Sequence, residues 1–118
     1  MLSPLISPGR VTAAPRAGSP TTTAAQQQTT GALHRGYRTG YSDGYQTGWR
    51  DSVERAARDY RNKADYQRAD RAYVPAYGAL EDYRDGYRQG FIVGYEAGYG
   101  KRGFDSNVPA GLARRGTA

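Results

Sequence analysis

The sequence predicts an all-α fold, a two-helix antiparallel hairpin in which rows of glycine and tyrosine pack against each other. Three observations predict it. A four-residue unit repeats over residues 32–60, a second copy covers 82–99, and the stretch between them is short enough for the chain to fold back. Residues 1–31 and 102–118 lack the repeat, so we expect disordered tails on either side of a helical hairpin at 32–101.

The first 31 residues are rich in Thr, Ala, Pro and Gln and show no hydrophobic periodicity. A composition of this kind is typical of a disordered segment. A processed targeting segment is the alternative. The stretch, however, has no apolar core of the roughly 7–15 residues that a secretory signal contains.

Each unit of the first repeat begins with a small residue and continues with an apolar or aromatic one. These pairs include Gly36–Tyr37, Gly40–Tyr41, Gly44–Tyr45 and Gly48–Trp49. A strand would also separate the two residue types, onto its opposite faces. The same register continues into DSVERAARDY, which is rich in helix formers and places Asp51 four residues before Arg55. A helix over about 32–60 is therefore the better interpretation.

The four glycines inside this helix have an energetic consequence. Together they cost about 4 kcal/mol relative to alanine, so the helix would not be stable in isolation. We therefore expect close packing against a second helix to compensate for them. The alternative is a disordered Gly/Tyr-rich segment that associates weakly through its aromatic rings.

A polar connection over 61–77 lacks the register, and a second helix is expected over about 79–100. Gly78 can cap it, and Glu81 favours its first turn. A stop follows at Lys101-Arg102-Gly103. The packing residues of this helix repeat the pattern of the first, and they are Gly86, Tyr87, Gly90, Phe91, Gly94, Tyr95, Gly98 and Tyr99.

The repeat also predicts how the two helices meet. Residues four apart form one of the ridges by which helices pack, and two such ridges cross at about −50°. We expect the aromatic ridge of each helix to lie in the glycine groove of the other. One unit breaks the pattern, because Ile92 and Val93 stand where the first helix has polar residues. Phe91, Ile92 and Val93 are therefore a possible subunit contact, with burial against the turn at 74–77 as the alternative.

Charge and polar residues argue against several classes of protein. The chain has a net charge of +6, but residues 1–30 and 106–118 carry two arginines each and no acid. Nucleic-acid binding is therefore weakly supported, mainly through the tails. Asp43, Asp51 and Asp59 are interpreted as solvated ion pairs. With no cysteine, one histidine and no catalytic motif, we predict no enzyme activity, catalytic residue, metal site, cofactor or small-molecule substrate, and no membrane span.

The segments GYRTGYSDGYQTGW, DYQRADRAY and YGALEDYRDGYRQGFIVGYEAGY resemble a group of short uncharacterised bacterial proteins with Gly/Tyr-rich helices, often behind a secretory signal. The likeness covers about residues 35–103. It implies a small helical protein that is secreted or associated with the cell envelope, and it carries no known activity. We expect a structural or protein-interaction module that forms a homo-oligomer or binds a protein partner through its Gly/Tyr helices. A cytoplasmic, basic, nucleic-acid-associated protein is the alternative.

Overall fold

The computed structural model describes residues 24–105 and 107–115. Within these residues the secondary structure is helical and contains no strand. The elements are α1 (Ala24–Val53), α2 (Ala64–Arg68), a 3-10 turn (Pro75–Tyr77) and α3 (Leu80–Tyr99). The long helices α1 and α3 pack against each other, which confirms the predicted all-α class and the pairing of two long helices. None of the helices in the described part of the chain is long and apolar enough to cross a membrane.

Glycine brings the backbones of α1 and α3 into direct contact. At every glycine of the two repeats, an added Cβ would lie within 3.0 Å of a carbonyl oxygen of the other helix. These glycines are Gly36, Gly40, Gly44 and Gly48 in α1 and Gly86, Gly90, Gly94 and Gly98 in α3. Only glycine permits this approach, which is the geometry of Cα–H···O=C contacts between helices. Close packing along the whole pair compensates for the low helix propensity of the glycines.

The order of these contacts shows that α1 and α3 run parallel, so the predicted antiparallel direction is wrong. Gly36 faces Tyr83 near the start of α3, and Gly48 faces Tyr95 near its end. The connection over 54–79 is long enough to return along the whole of α3, which is about 30 Å in length. The chain therefore runs back beside the pair before α3 begins.

The same glycine contact recurs at every repeat of the pair, and this recurrence requires the two helices to wind around each other in a right-handed sense. A row of residues four apart advances by about 40° per unit around an α-helix, in the right-handed direction. Four consecutive units of each helix remain in contact with the partner helix. The two helices must therefore wind around each other in the same sense. As a result, the two helices stay in contact along the pair instead of touching only where their axes cross.

Helix α1 differs from its predicted bounds at both ends. Residues 24–31, which the sequence assigns to the tail, are helical, whereas residues 1–23 lie outside the described part of the chain. The helix ends at Val53 and not near residue 60. The backbone of Arg55 takes a left-handed conformation (φ 59°), which stops the helix although the sequence beyond it favours helix.

The aromatic rows lie on the two outer sides of the helix pair, because the backbones already fill the glycine grooves. In α3 the row is Tyr83, Tyr87, Phe91, Tyr95 and Tyr99, with ring centroids 5.9 to 6.3 Å apart. In α1 it is Tyr37, Tyr41, Tyr45 and Trp49, with centroids 6.0 to 6.4 Å apart. We call these the α3 row and the α1 row. The expectation that the rings fill the opposing grooves is therefore wrong.

Each aromatic row is covered by a different segment of the chain. The connection packs on the α3 row, where Tyr66 contacts Phe91 with their ring centroids 5.8 Å apart. The segment after α3 packs on the α1 row through Phe104, Val108 and Leu112. Residues 104–115, apart from the undescribed residue 106, thus form a cover where the sequence predicts a disordered tail. We call residues 104, 105 and 107–115 the C-terminal cover.

The variant Gly40→Ala tests the backbone contact between α1 and α3. Its new methyl group would lie against the backbone of Tyr87, which cannot move aside as a flexible side chain can. We expect the free energy of unfolding to fall by about 1–3 kcal/mol, although alanine adds ~1 kcal/mol of helix propensity. Urea unfolding followed by circular dichroism measures the change.

Gly103→Ala is the matched control, because nothing lies within 4 Å of a Cβ at that position. This variant should unfold at the same urea concentration as the parent chain or a slightly higher one. If Gly40→Ala is as stable as Gly103→Ala, the close backbone contact is contradicted.

Candidate interaction surfaces

A buried network centred on Asp43 fastens the connection to α1. Tyr87 donates a hydrogen bond to the Asp43 carboxylate at 2.5 Å. Arg71, in the connection, donates two more to the same carboxylate, at 2.5 and 2.7 Å. Burial raises the pKa of the Tyr87 phenol, and its hydrogen bond to Asp43 raises it further. The phenol therefore remains protonated at neutral pH and acts as a fixed donor.

A second network of the same kind lies eight residues further along α1. Tyr95 donates to Asp51 at 2.5 Å, and the Lys63 ammonium lies 2.8 Å from the same carboxylate oxygen. Burial, followed by the bond to Asp51, raises the pKa of Tyr95 to about 12. Burial by itself would raise the pKa of Asp51, but the hydrogen bonds from Lys63 and Tyr95 lower it on balance.

The prediction that Asp43 and Asp51 form solvated ion pairs is wrong. Asp43 and Asp51 are buried and hydrogen-bonded to the connection, and they do not lie on a solvated face as the eight-residue spacing suggested. Their partners Arg71 and Lys63 are distant in sequence, so no local pattern could reveal them. Within residues 24–105 and 107–115, no group of three or more His, Cys, Asp or Glu side chains is suited to a metal ion. The buried polar groups hold chain segments together.

The C-terminal cover is fastened to the first half of α3. Arg114 forms an ion pair with Asp82 and another with Asp85, the latter at 3.2 Å. Gln89 donates a hydrogen bond to the carbonyl oxygen of Ala113 at 2.8 Å. One of the arginines that made the C-terminal tail a candidate for nucleic-acid binding is therefore engaged within the fold.

A cavity of about 270 Å³ lies between α3 and the C-terminal cover, and its mainly apolar lining also includes Gln89 and Arg115. Ile92 and Val93 line it from α3, and Leu112 lines it from the cover. Val93 is 47% exposed. Phe91 is fully buried beside Tyr66, on the α3 row. Of the three residues predicted for a subunit contact, Ile92 and Val93 therefore form an accessible surface and Phe91 does not.

The α1 row ends in an exposed group of rings. Trp49 is 42% exposed and Phe104 is 52% exposed, and both contact Tyr45, at centroid distances of 6.0 and 5.1 Å. The Lys101 ammonium lies 4.8 Å from the centroid of the Trp49 ring. We call Tyr45, Trp49, Lys101 and Phe104 the aromatic end cluster. Sequence reasoning missed it, because Phe104 lay in the predicted tail and Trp49 was assigned to helix packing.

No protein-family model matches the chain, and no curated protein or solved structure matches it either. The function must therefore be inferred from the surfaces of the fold itself.

The buried phenols predict a loss of stability at high pH. An unfolded tyrosine has a pKa near 10, whereas Tyr95 has a pKa of about 12 and that of Tyr87 is also raised. The unfolded chain therefore ionises first. The contribution of these phenols to the free energy of unfolding should be fully present below about pH 10. It should fall between pH 10 and 12, by up to ~1.4 kcal/mol per pH unit for each such phenol.

An alkaline titration followed by phenolate absorbance and circular dichroism measures this loss. We expect the ionisation of the buried phenols to coincide with the loss of helix. Ionisation of all the tyrosines near pH 10 with intact helices would show that the hydroxyl networks contribute little.

Proposed function

We propose that this chain is a non-enzymatic structural or protein-interaction module that associates with a second copy through the edge of α3. The observation that carries the proposal is Val93, an exposed apolar side chain at the rim of an apolar cavity. We further propose that the module is secreted or associated with the cell envelope. That location depends only on the resemblance to exported Gly/Tyr-repeat proteins.

The use of the polar interior supports a structural role. Asp43 and Asp51 bind the connection, and Asp85 binds the C-terminal cover. Each of these carboxylates accepts hydrogen bonds from a cation that is remote in sequence, so its charge fixes a chain segment in place. The result is a helix pair with a fixed register and two fastened covers, which is suited to presenting a rigid outer surface.

The edge of α3 differs from the equivalent edge of α1. In the paired helices Gly44 occupies the place of Gly94. Val93 therefore corresponds to Asp43, which is buried under the connection, whereas Val93 is partly open to solvent. Val93 adjoins Ile92 and Leu112 at the cavity, and a contiguous exposed apolar patch is the kind of surface that marks a contact site.

An exposed apolar side chain at the wall of a cavity can be self-complementary. Two copies related by a twofold axis can each insert Val93 into the cavity of the other, which forms a closed dimer. Ile92 and Leu112 would line the receiving surface. We therefore propose a symmetric, closed contact and not an open chain of subunits.

The variant Val93→Glu tests the association. Sedimentation velocity at tens of micromolar should show a dimer for the parent chain and a monomer for Val93→Glu, with equal helicity by circular dichroism. Val74→Glu is the matched control, because Val74 is similarly exposed, at 42%, but lies in the connection. It should remain dimeric. A monomeric parent chain, or a dimer that survives Val93→Glu, would refute the proposal.

A further inference from the structure

We infer that the aromatic end cluster binds single-stranded nucleic acid, with bases stacked on Trp49 and Phe104 and phosphates held by the surrounding cations. This binding is separate from the proposed self-association, because the cluster lies at the C-terminal ends of the two long helices and not at the edge of α3. It also differs from binding through the tails, because every residue involved belongs to the folded part of the chain.

The rings of the cluster form an exposed platform in a fixed orientation. Trp49 stacks on Tyr45 with an interplanar angle of 27°, and Phe104 meets Tyr45 edge-on at 86°. The Tyr45 hydroxyl donates a hydrogen bond to the carbonyl oxygen of Arg102, which fixes the chain beside the rings. Bases stack on exposed aromatic side chains without sequence preference, at about 1–3 kcal/mol per base.

Three of the six exposed large apolar residues in the described part of the chain, Trp49, Val53 and Phe104, belong to the C-terminal part of α1 and the segment after α3. Val53, one helical turn after Trp49, is 59% exposed. The other three, Val74, Leu80 and Val93, lie in the connection, at the start of α3 and at its edge. The cluster is therefore an exposed apolar surface with several members, of the kind that usually marks an interaction site.

The charges around the rings favour a polyanion. Because α1 and α3 are parallel, both helices end here, and exposed cations collect in their final turns and in the segments that follow. These cations are Arg50, Arg55, Lys101 and Arg102, against the exposed acids Glu54 and Asp105. The excess at this end is positive, and the Lys101 ammonium lies against the Trp49 ring. Cations interleaved with aromatic side chains are the combination by which proteins hold single strands.

The experiment uses the intrinsic fluorescence of Trp49, which is the only tryptophan of the chain. The full chain is titrated with an oligo-dT of about 10 nucleotides, a length within the range of known single-strand sites. We expect the oligonucleotide to quench the fluorescence, with an affinity that falls as salt is raised. Binding through the N-terminal arginines would leave Trp49 unquenched.

Two other probes separate base stacking from charge alone. Inorganic polyphosphate carries the charge without bases, and vesicles of phosphatidylserine and phosphatidylcholine present an anionic membrane surface. We expect polyphosphate at matched charge to quench far less than oligo-dT, and the vesicles to leave the fluorescence unchanged. Equal quenching by polyphosphate, or quenching by vesicles alone, would overturn the assignment to nucleic acid.

Variants then locate the binding site on the cluster. Phe104→Leu retains an apolar contact with Tyr45 but removes a ring, so the affinity for oligo-dT should fall about tenfold. Lys101→Gln should reduce the slope of log affinity against log salt by about one. Val74→Ala, in the connection, is the control and should bind as the parent chain does. If Phe104→Leu and Lys101→Gln both bind like this control, the inference is wrong.

Discussion

The contact between the glycines of one helix and the carbonyl oxygens of the other determines the rest of the structure. Because the backbones of α1 and α3 touch at every glycine of the two repeats, no aromatic ring can lie between them. The rings project from the two outer sides of the pair, and each row then needs a cover. The connection supplies one cover and the C-terminal cover supplies the other. The four-residue repeat therefore explains the helix pair and also the need for the segments packed on it.

The covers are held by ring stacking together with polar anchors, since the chain has few aliphatic residues. A tyrosine buries a large apolar ring and still carries a donor at its tip. Tyr87 and Tyr95 use this donor to reach buried carboxylates of α1, and Tyr99 donates to the carbonyl oxygen of Ala56 at 2.7 Å. A buried hydroxyl that loses its partner costs more than its hydrogen bond contributes when formed. Tyr99 thereby anchors the connection, and Arg71 and Lys63 anchor it to the same carboxylates. Arg114 anchors the C-terminal cover to Asp85. These anchors specify where each cover lies, which ring stacking alone would not do.

Local pattern was sufficient to predict the helical class, the long helices and the residues of their repeats, but it did not predict how the chain runs. Each row of glycine or tyrosine has the same four-residue spacing in either chain direction. The spacing is therefore compatible with a parallel pair of helices and with an antiparallel one. The direction depends on partners distant in sequence, such as Arg71 with Asp43. The early end of α1 depends on the left-handed Arg55, in a stretch of good helix formers. The aromatic end cluster was missed because Phe104 lies in an irregular segment, whose packing carries no periodic signal.

The direction of the two helices tests this account most directly, and the absence of cysteine in the chain makes paired spin labels straightforward. The double variant Arg38→Cys/Glu81→Cys carries one label in the first half of α1 and one at the start of α3. The double variant Arg50→Cys/Glu81→Cys carries one label near the end of α1 and one at the same position in α3. From the glycine register, the labelled positions should be about 10 Å apart along the axis in the first pair and about 28 Å in the second. Pulsed electron resonance should therefore give the shorter distance for Arg38–Glu81. A shorter distance for Arg50–Glu81 would mean that the helices are antiparallel and would contradict the account.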